Sequence, residues 1–110
     1  MIIFTIILLY FYMHNLFTMK NWVGSFKMKA TEWNGQKIAD LLKQVADIDM
    51  PGNIKYNMAI DGDTIFGYEE WESKEAHAAS MKIPEVWALV EQAFPYMDGQ
   101  PEMMFEWESI

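Results

Sequence analysis

The stretch from residue 51 to residue 76, PGNIKYNMAIDGDTIFGYEEWESKEA, decides the reading of this chain. Ile54, Tyr56, Met58 and Ile60 alternate with Lys55 and Asn57, the period of a strand with one apolar face. Asp61-Gly62-Asp63 is a tight-turn signal, and Thr64 to Glu72 continues as a second strand. Residues 54–72 therefore read as a β-hairpin. Ser73 then offers a hydroxyl to cap a helix running from Lys74 to about Lys82.

Working outward on the N-terminal side, Pro51-Gly52 closes a helix over about residues 35–47. Its apolar stripe is Ile38, Leu41, Leu42, Val45 and Ile48, and Asn34 is its expected N-cap. Before it, Trp22 to Ala30 alternates again: Trp22, Gly24, Phe26, Met28 and Ala30 share one face. Val23, Ser25, Lys27 and Lys29 share the other. On the C-terminal side Pro84 suits the first turn of a further helix carrying Val86, Trp87, Val90 and Phe94. Pro95 and Gly99 end it. Glu102 to Ile110 reads as a last strand, with Met103, Phe105 and Trp107 on one face and Glu102, Glu106 and Glu108 opposite.

The order strand, helix, strand, strand, helix pair, strand is the split βαβ, ferredoxin-like α+β arrangement. It predicts a four-stranded antiparallel sheet with helices on one face. Both sheet faces carry large side chains, so the uncovered face predicts pairing with a second copy, a homodimer through the open sheet face.

Composition narrows the function. The chain has 110 residues, one domain's worth, with 52% apolar and 15% aromatic residues, enough for a real core. It has no cysteine, which excludes disulfides and thiolate metal sites. The net charge is −8 and every basic residue is lysine. Such a chain is a poor match for nucleic acid, and it lacks the guanidinium fork that clamps carboxylates and phosphates. A small apolar or aromatic molecule is the expected partner.

Residues 1–18 stand apart from the domain at 19–110. MIIFTIILLYFY is almost unbroken apolar sequence, short for a membrane span of about 20 residues. It lacks the basic start and the small-residue cleavage site of a secretory signal. Three readings stay open: a short membrane anchor, an extra element packed on the domain, or an upstream extension with Met13 or Met19 as later starts. The expected location is the cytoplasm, with membrane anchoring through residues 1–18 as the alternative.

Two motifs carry a family resemblance. Pro51-Gly52-x-Ile54-x-Tyr56 leads into the hairpin, and Glu69-Glu70-Trp71-Glu72-Ser73-Lys74-Glu75-Ala76 leaves it. The chain from about residue 20 to residue 110 thereby resembles the antibiotic biosynthesis monooxygenase domain family. Its members typically show P-G-x-x-x-Y at the entry to strand two and E-x-W-x-S-x-E-A at the end of strand three. Pro84 sits where that family begins its last helical segment. The resemblance implies a dimeric α/β barrel and a pocket in each subunit between sheet and helices. Some members oxidise quinol-type or polyketide aromatics with dioxygen and neither metal nor flavin; others degrade heme. The family often has a histidine four residues after the Ala of Glu-Ala. Here Ser80 holds that position, and His77 lies one helical turn earlier.

The candidate site residues each have two readings. Trp71 is a stacking wall for a planar substrate or a core anchor for the helix that follows. His77 is a general base, or a histidine on a helix flank. Ser80 bonds a substrate or fills space. Tyr56 and Tyr68 are donors to a developing oxyanion or packing residues of a strand; Asn57 is a weaker version of the same. Trp33 covers the pocket mouth or the core. The ten methionines read as core filler. Glu69, Glu70, Glu72 and Glu75 read as a solvated face with favourable first-turn charge, not a metal site.

The functional expectation is a cofactor-independent monooxygenase of a small aromatic, with His77, Tyr56 and Tyr68 catalytic and Trp71, Ser80, Asn57 and Trp33 binding substrate. The alternative is a non-catalytic dimeric ligand-binding module. Heme chemistry ranks third, since Ser80 replaces the axial ligand and Met28 stands where a polar amide is wanted.

Overall fold

The computed structural model describes residues 20–110. The expectations for residues 1–18 lie outside the described residues. The elements run β1 (Trp22–Lys29), α1 (Gly35–Ala46), β2 (Asn53–Asp61), β3 (Thr64–Trp71), α2 (Lys74–Ser80), α3 (Pro84–Ala93), a 3₁₀ turn (Phe94–Tyr96) and β4 (Glu102–Glu108). The four strands form one sheet in the order β2-β3-β1-β4, every neighbouring pair antiparallel. This is the expected ferredoxin-like α+β fold.

The hairpin turns through Gly62 at φ 60°, a left-handed angle that glycine adopts without a Cβ penalty. Asp63, beside it, does the work expected of Asn34. Its Oδ1 accepts the Gly35 N–H at 3.0 Å and its Oδ2 accepts the Trp33 N–H at 3.0 Å. The Asn34 amide instead donates to Thr31 Oγ1 at 2.8 Å and caps nothing. A Cβ on Gly35 would overlap the Gly62 carbonyl oxygen, so α1 starts flush against the hairpin turn. At the other helix start, Ser73 Oγ accepts from the Ala76 N–H at 3.0 Å, as its sequence position predicts. Helix α2 stops at Ser80, short of Lys82. Ile83 is extended ahead of Pro84, as the residue before a proline prefers.

Register sorts the side chains. Trp22, Gly24, Phe26 and Met28 of β1 oppose Trp71, Glu69, Gly67 and Ile65 of β3. Glu69, Gly67 and Ile65 in turn oppose Tyr56, Met58 and Ile60 of β2. This row faces the helices. Val23, Ser25 and Lys27 share the other face with Glu70, Tyr68 and Phe66. Strand β4 departs from simple alternation. Its register slips beside Ser25 and Phe26, so Phe105 and Trp107 oppose Ser25 and Val23 while Met103 opposes Phe26 and Glu102 opposes Lys27. A bulge moves the side chains beyond it to the other face. Met103 therefore leaves the Phe105–Trp107 face that strict alternation predicts.

The buried core falls into two clusters. One holds Trp22, Val45, Met50, Trp71 and Val86; the other holds Ala30, Ile38, Leu42, Ile65 and Ala93. Ile38, Leu42 and Val45 come from one face of α1, at the i, i+4, i+7 spacing of its stripe. The space between the clusters is not filled by side chains, and it is where the candidate site lies.

Candidate functional site

A cavity of about 330 Å³ lies between the sheet and the three helices. That volume lies at the lower end of small-molecule sites. Its lining is overwhelmingly apolar: Leu41, Leu42 and Val45 from α1, Val86 and Val90 from α3, and Phe26 from β1. Gly67 forms part of its floor. A Cβ there would come within 2.9 Å of Met58 Sδ, so a larger residue would displace the methionine.

Most of the polar lining residues gather on one side, with Gln100 entering separately from the segment before β4. Tyr56, Glu69, Trp71, His77 and Ser80 all line the cavity. Strand alternation brings Tyr56, Glu69 and Trp71 there, because all three sit on the helix-facing row. Ser73 then turns the chain back over the sheet, so His77, on the first turn of α2, meets the end of β3.

His77 is held in a stack of rings. Trp22 lies 4.9 Å from it at an interplanar angle of 27°, and Phe26 lies 5.8 Å away at 28°. Trp71 meets it edge-on at 5.4 Å and 67°. Its Nε2 is 3.8 Å from Glu69 Oε2. Burial, followed by the nearby Lys74 cation, holds the imidazole below its usual pKa, so the ring is neutral at neutral pH.

Glu69 is 7% exposed. Burial pushes its carboxyl up to about 7, against the opposing pull of the hydrogen bond from Trp71. That bond runs from the Trp71 indole N–H to Oε1 at 3.2 Å. Tyr56 lies across from Glu69 in the ladder. Its hydroxyl is held well above the usual phenol range, first by burial and then by the Glu69 charge, so it stays a protonated donor. Lys74, the nearest lysine along α2, pairs at 2.8 Å with Glu106, which also accepts the Trp22 indole N–H.

The sequence reading and the structure differ over several residues. Tyr56, Trp71, His77 and Ser80 come together at the cavity. Trp71 is fully buried in a core cluster that borders the cavity. The Ser80 hydroxyl donates to the His77 carbonyl oxygen at 2.6 Å, so its proton is spent on its own helix. Tyr68 and Asn57 oppose each other on the sheet face away from the helices, because their strand positions are odd where Tyr56 and Glu69 are even. Trp33 is 85% exposed in a left-handed conformation, φ 69°, and takes no part in the cavity. Glu69 is the residue that the sequence reading missed. Grouping it with Glu70, Glu72 and Glu75 as a solvated face ignored its place two residues before Trp71, on the same row. Among the described residues there is no cluster of three or more His, Cys, Asp or Glu suited to a metal ion.

A ferredoxin-like sheet backed by helices, with an apolar cavity and one polar corner, defines an α+β domain built around an internal cavity. The family model for antibiotic biosynthesis monooxygenase matches residues 24–92, and the chain belongs to that family. Solved structures agree. One from Chloroflexus aurantiacus J-10-fl, provisionally named an antibiotic biosynthesis monooxygenase, superposes with a TM-score of 0.69 at 27% identity, covering 82% of this chain and 91% of that one. A Nitrosomonas europaea protein with the same provisional name gives a TM-score of 0.72 at 13% identity, covering 82% and 90%. A conserved protein from Methanosarcina mazei Go1 gives 0.70 at 14%, covering 81% and 92%. The last two share the fold alone. No curated protein matches the sequence. No helix among the described residues is long and apolar enough to cross a membrane.

Proposed function

We propose that this chain is a cofactor-independent monooxygenase acting on a small, electron-rich aromatic such as a quinol or a polyketide-like phenol. The observation that carries this reading is the polar corner of the cavity. A neutral imidazole, a buried carboxyl and a protonated phenol converge on one side of an otherwise apolar space. A substrate that ionises to a phenolate or carbanion can pass an electron to dioxygen itself. The protein must then supply a base, a donor for the anion and exclusion of water. His77 takes the proton from the substrate, Tyr56 donates to the resulting oxyanion, and Trp71 provides the flat wall. Where the oxidised position is a methylene, it becomes a carbonyl. One oxygen atom stays in the product, and the other leaves with the two hydrogens as water.

The working unit is a homodimer joined through the open sheet face. That face presents Phe66, Tyr68 and Trp107 at 36%, 39% and 61% exposure, with the Phe105 and Trp107 rings stacked at 4.5 Å. Aromatic surface of this extent is costly to leave in water. The chemistry is tested by oxygen uptake with protein stripped of metal and flavin, across a panel of quinols and phenols. Uptake no faster than background on the whole panel would sink the reading. Small-ligand binding without catalysis is the second reading. It is favoured by the Ser80 hydroxyl being turned to its own helix at the position where the family often carries a histidine.

A further inference from the structure

The cavity contains a carboxylate with no cation to answer it. Glu69 Oε1 is occupied by the Trp71 indole. Oε2 makes no hydrogen bond among the described residues, and His77 Nε2 at 3.8 Å is beyond hydrogen-bond reach. The groups facing Glu69 are His77 from α2, Tyr56 from β2 and Trp71 from its own strand, none of them a fixed positive charge. Lys74 is engaged by Glu106. The ring stack that would suit an ammonium ligand is filled by His77 itself.

Oε2 is open to the cavity rather than sealed in the core, so a ligand that donates to it keeps the acceptor paired, and one that cannot donate strips it of solvent for nothing. We propose that Glu69 Oε2 receives the hydroxyl of the bound aromatic, so that the cavity takes uncharged molecules carrying a phenolic O–H and turns away aromatic carboxylates. This rests on the reading of the cavity as the substrate site and adds the residue that selects the head group. A hydroxyl placed on Oε2 lies beside His77 Nε2; its proton passes from the hydrogen bond on Oε2 to the imidazole, and the imidazolium so formed faces both the carboxylate and the phenolate and offsets their like charge. A carboxylate placed there would set two like charges a few ångströms apart with little solvent between them. The same molecule without the O–H would leave Oε2 unpaired, the circumstance in which sites discriminate most strongly.

Three probes with one aromatic body separate these cases: 2-naphthol, 2-methoxynaphthalene and 2-naphthoate, titrated calorimetrically into the full chain at pH 7.5. Wild-type protein should bind 2-naphthol roughly tenfold or more tightly than either of the others, the scale of one hydrogen bond to a charged acceptor. Glu69→Gln should recover 2-naphthoate binding by roughly fivefold or more, since the charge is gone and the shape kept. Glu69→Leu should erase the preference for 2-naphthol over its methyl ether. Both variants are checked for an unchanged circular dichroism spectrum, and either suffices if the other does not fold. Equal binding of all three probes, no binding of any, or preferences that survive in the folded variants would overturn the proposal. Selective, Glu69-dependent binding of 2-naphthol together with oxygen uptake at background would leave this inference standing and remove the monooxygenase reading. Turnover of a phenol that is indifferent to Glu69 would do the reverse.

Discussion

Replacing Glu69 by glutamine should make the protein more stable, and increasingly so as the pH rises. The carboxyl moves from an ordinary 4.5 to about 7 on folding, because burial penalises its charge. A shift of that size is worth about 3 kcal/mol once the group is ionised in both states. The sign follows from proton counting. Between about pH 4.5 and pH 7 the unfolded chain has lost this proton while the folded chain keeps it. Stability therefore falls as the pH rises through that window and levels off above it. Glutamine keeps the shape of the neutral acid and has no proton to lose. The lead of Glu69→Gln over wild type should then grow by about 2 to 3 kcal/mol between pH 5 and pH 8.5. His77 works the other way. Its folded pKa is depressed, so its contribution is present above about 6.5 and lost as the pH falls. It is present in both proteins and cancels to first order in their difference. Urea unfolding at the two pH values, followed by tryptophan fluorescence, gives the comparison directly. A difference that stays flat with pH, or a variant that loses ground at alkaline pH, would mean that Glu69 is ionised and paired in the folded protein. The account of the polar corner would then be wrong.

Other outcomes follow from the same structure. His77→Ala should lower any turnover about 10²-fold while leaving the circular dichroism spectrum unchanged, the usual scale for loss of a general base; equal turnover would dismiss His77 as the base. The protein should run at about twice its chain mass in light scattering at micromolar concentration, and Trp107→Glu should yield monomer or insoluble chain; a soluble, stable wild-type monomer contradicts the paired sheet. A chain beginning at Met19 should unfold as cooperatively as the full one, because residues 20–110 already close both core clusters; an unfolded product would make residues 1–18 an integral element. Ser73→Ala should cost about 1 kcal/mol of stability in the same urea assay, through loss of its bond to the Ala76 N–H.

Much of the fold was legible because its signals are local. The hairpin announces itself through alternation and Asp61-Gly62-Asp63, and the helix starts through Ser73 and Pro84. Where the reading slipped, a contact distant in sequence had intervened. Asn34 looks like a cap until Asp63, 28 residues from Gly35, supplies the acceptors instead. Met103 alternates with Phe105 until a bulge against β1 breaks the period.

The site was legible only in part, for a related reason. Strand alternation says that Tyr56 and Asn57 face opposite ways, but it does not say which way is inward. That depends on which side of the sheet the helices cover, and both faces of this sheet carry aromatics. Ile65, Gly67 and Trp71 are buried on one row while Phe66 and Tyr68 stand out on the other. Once Trp71 is placed among the buried residues, the period of two carries Glu69 inward with it. A carboxylate then sits where a strand facing a core would ordinarily put valine or leucine. Its neighbours Glu70, Glu72 and Glu75 disguise it in the sequence as one more member of an acidic run. Its chemistry comes from the parity of its position: the same side chain one residue along, at Glu70, opposes Val23 and Lys55 on the other face, away from the cavity. The E-x-W spacing is thus a physical unit. The tryptophan fixes the face and binds one carboxyl oxygen, leaving the other directed to the imidazole and to whatever enters the cavity.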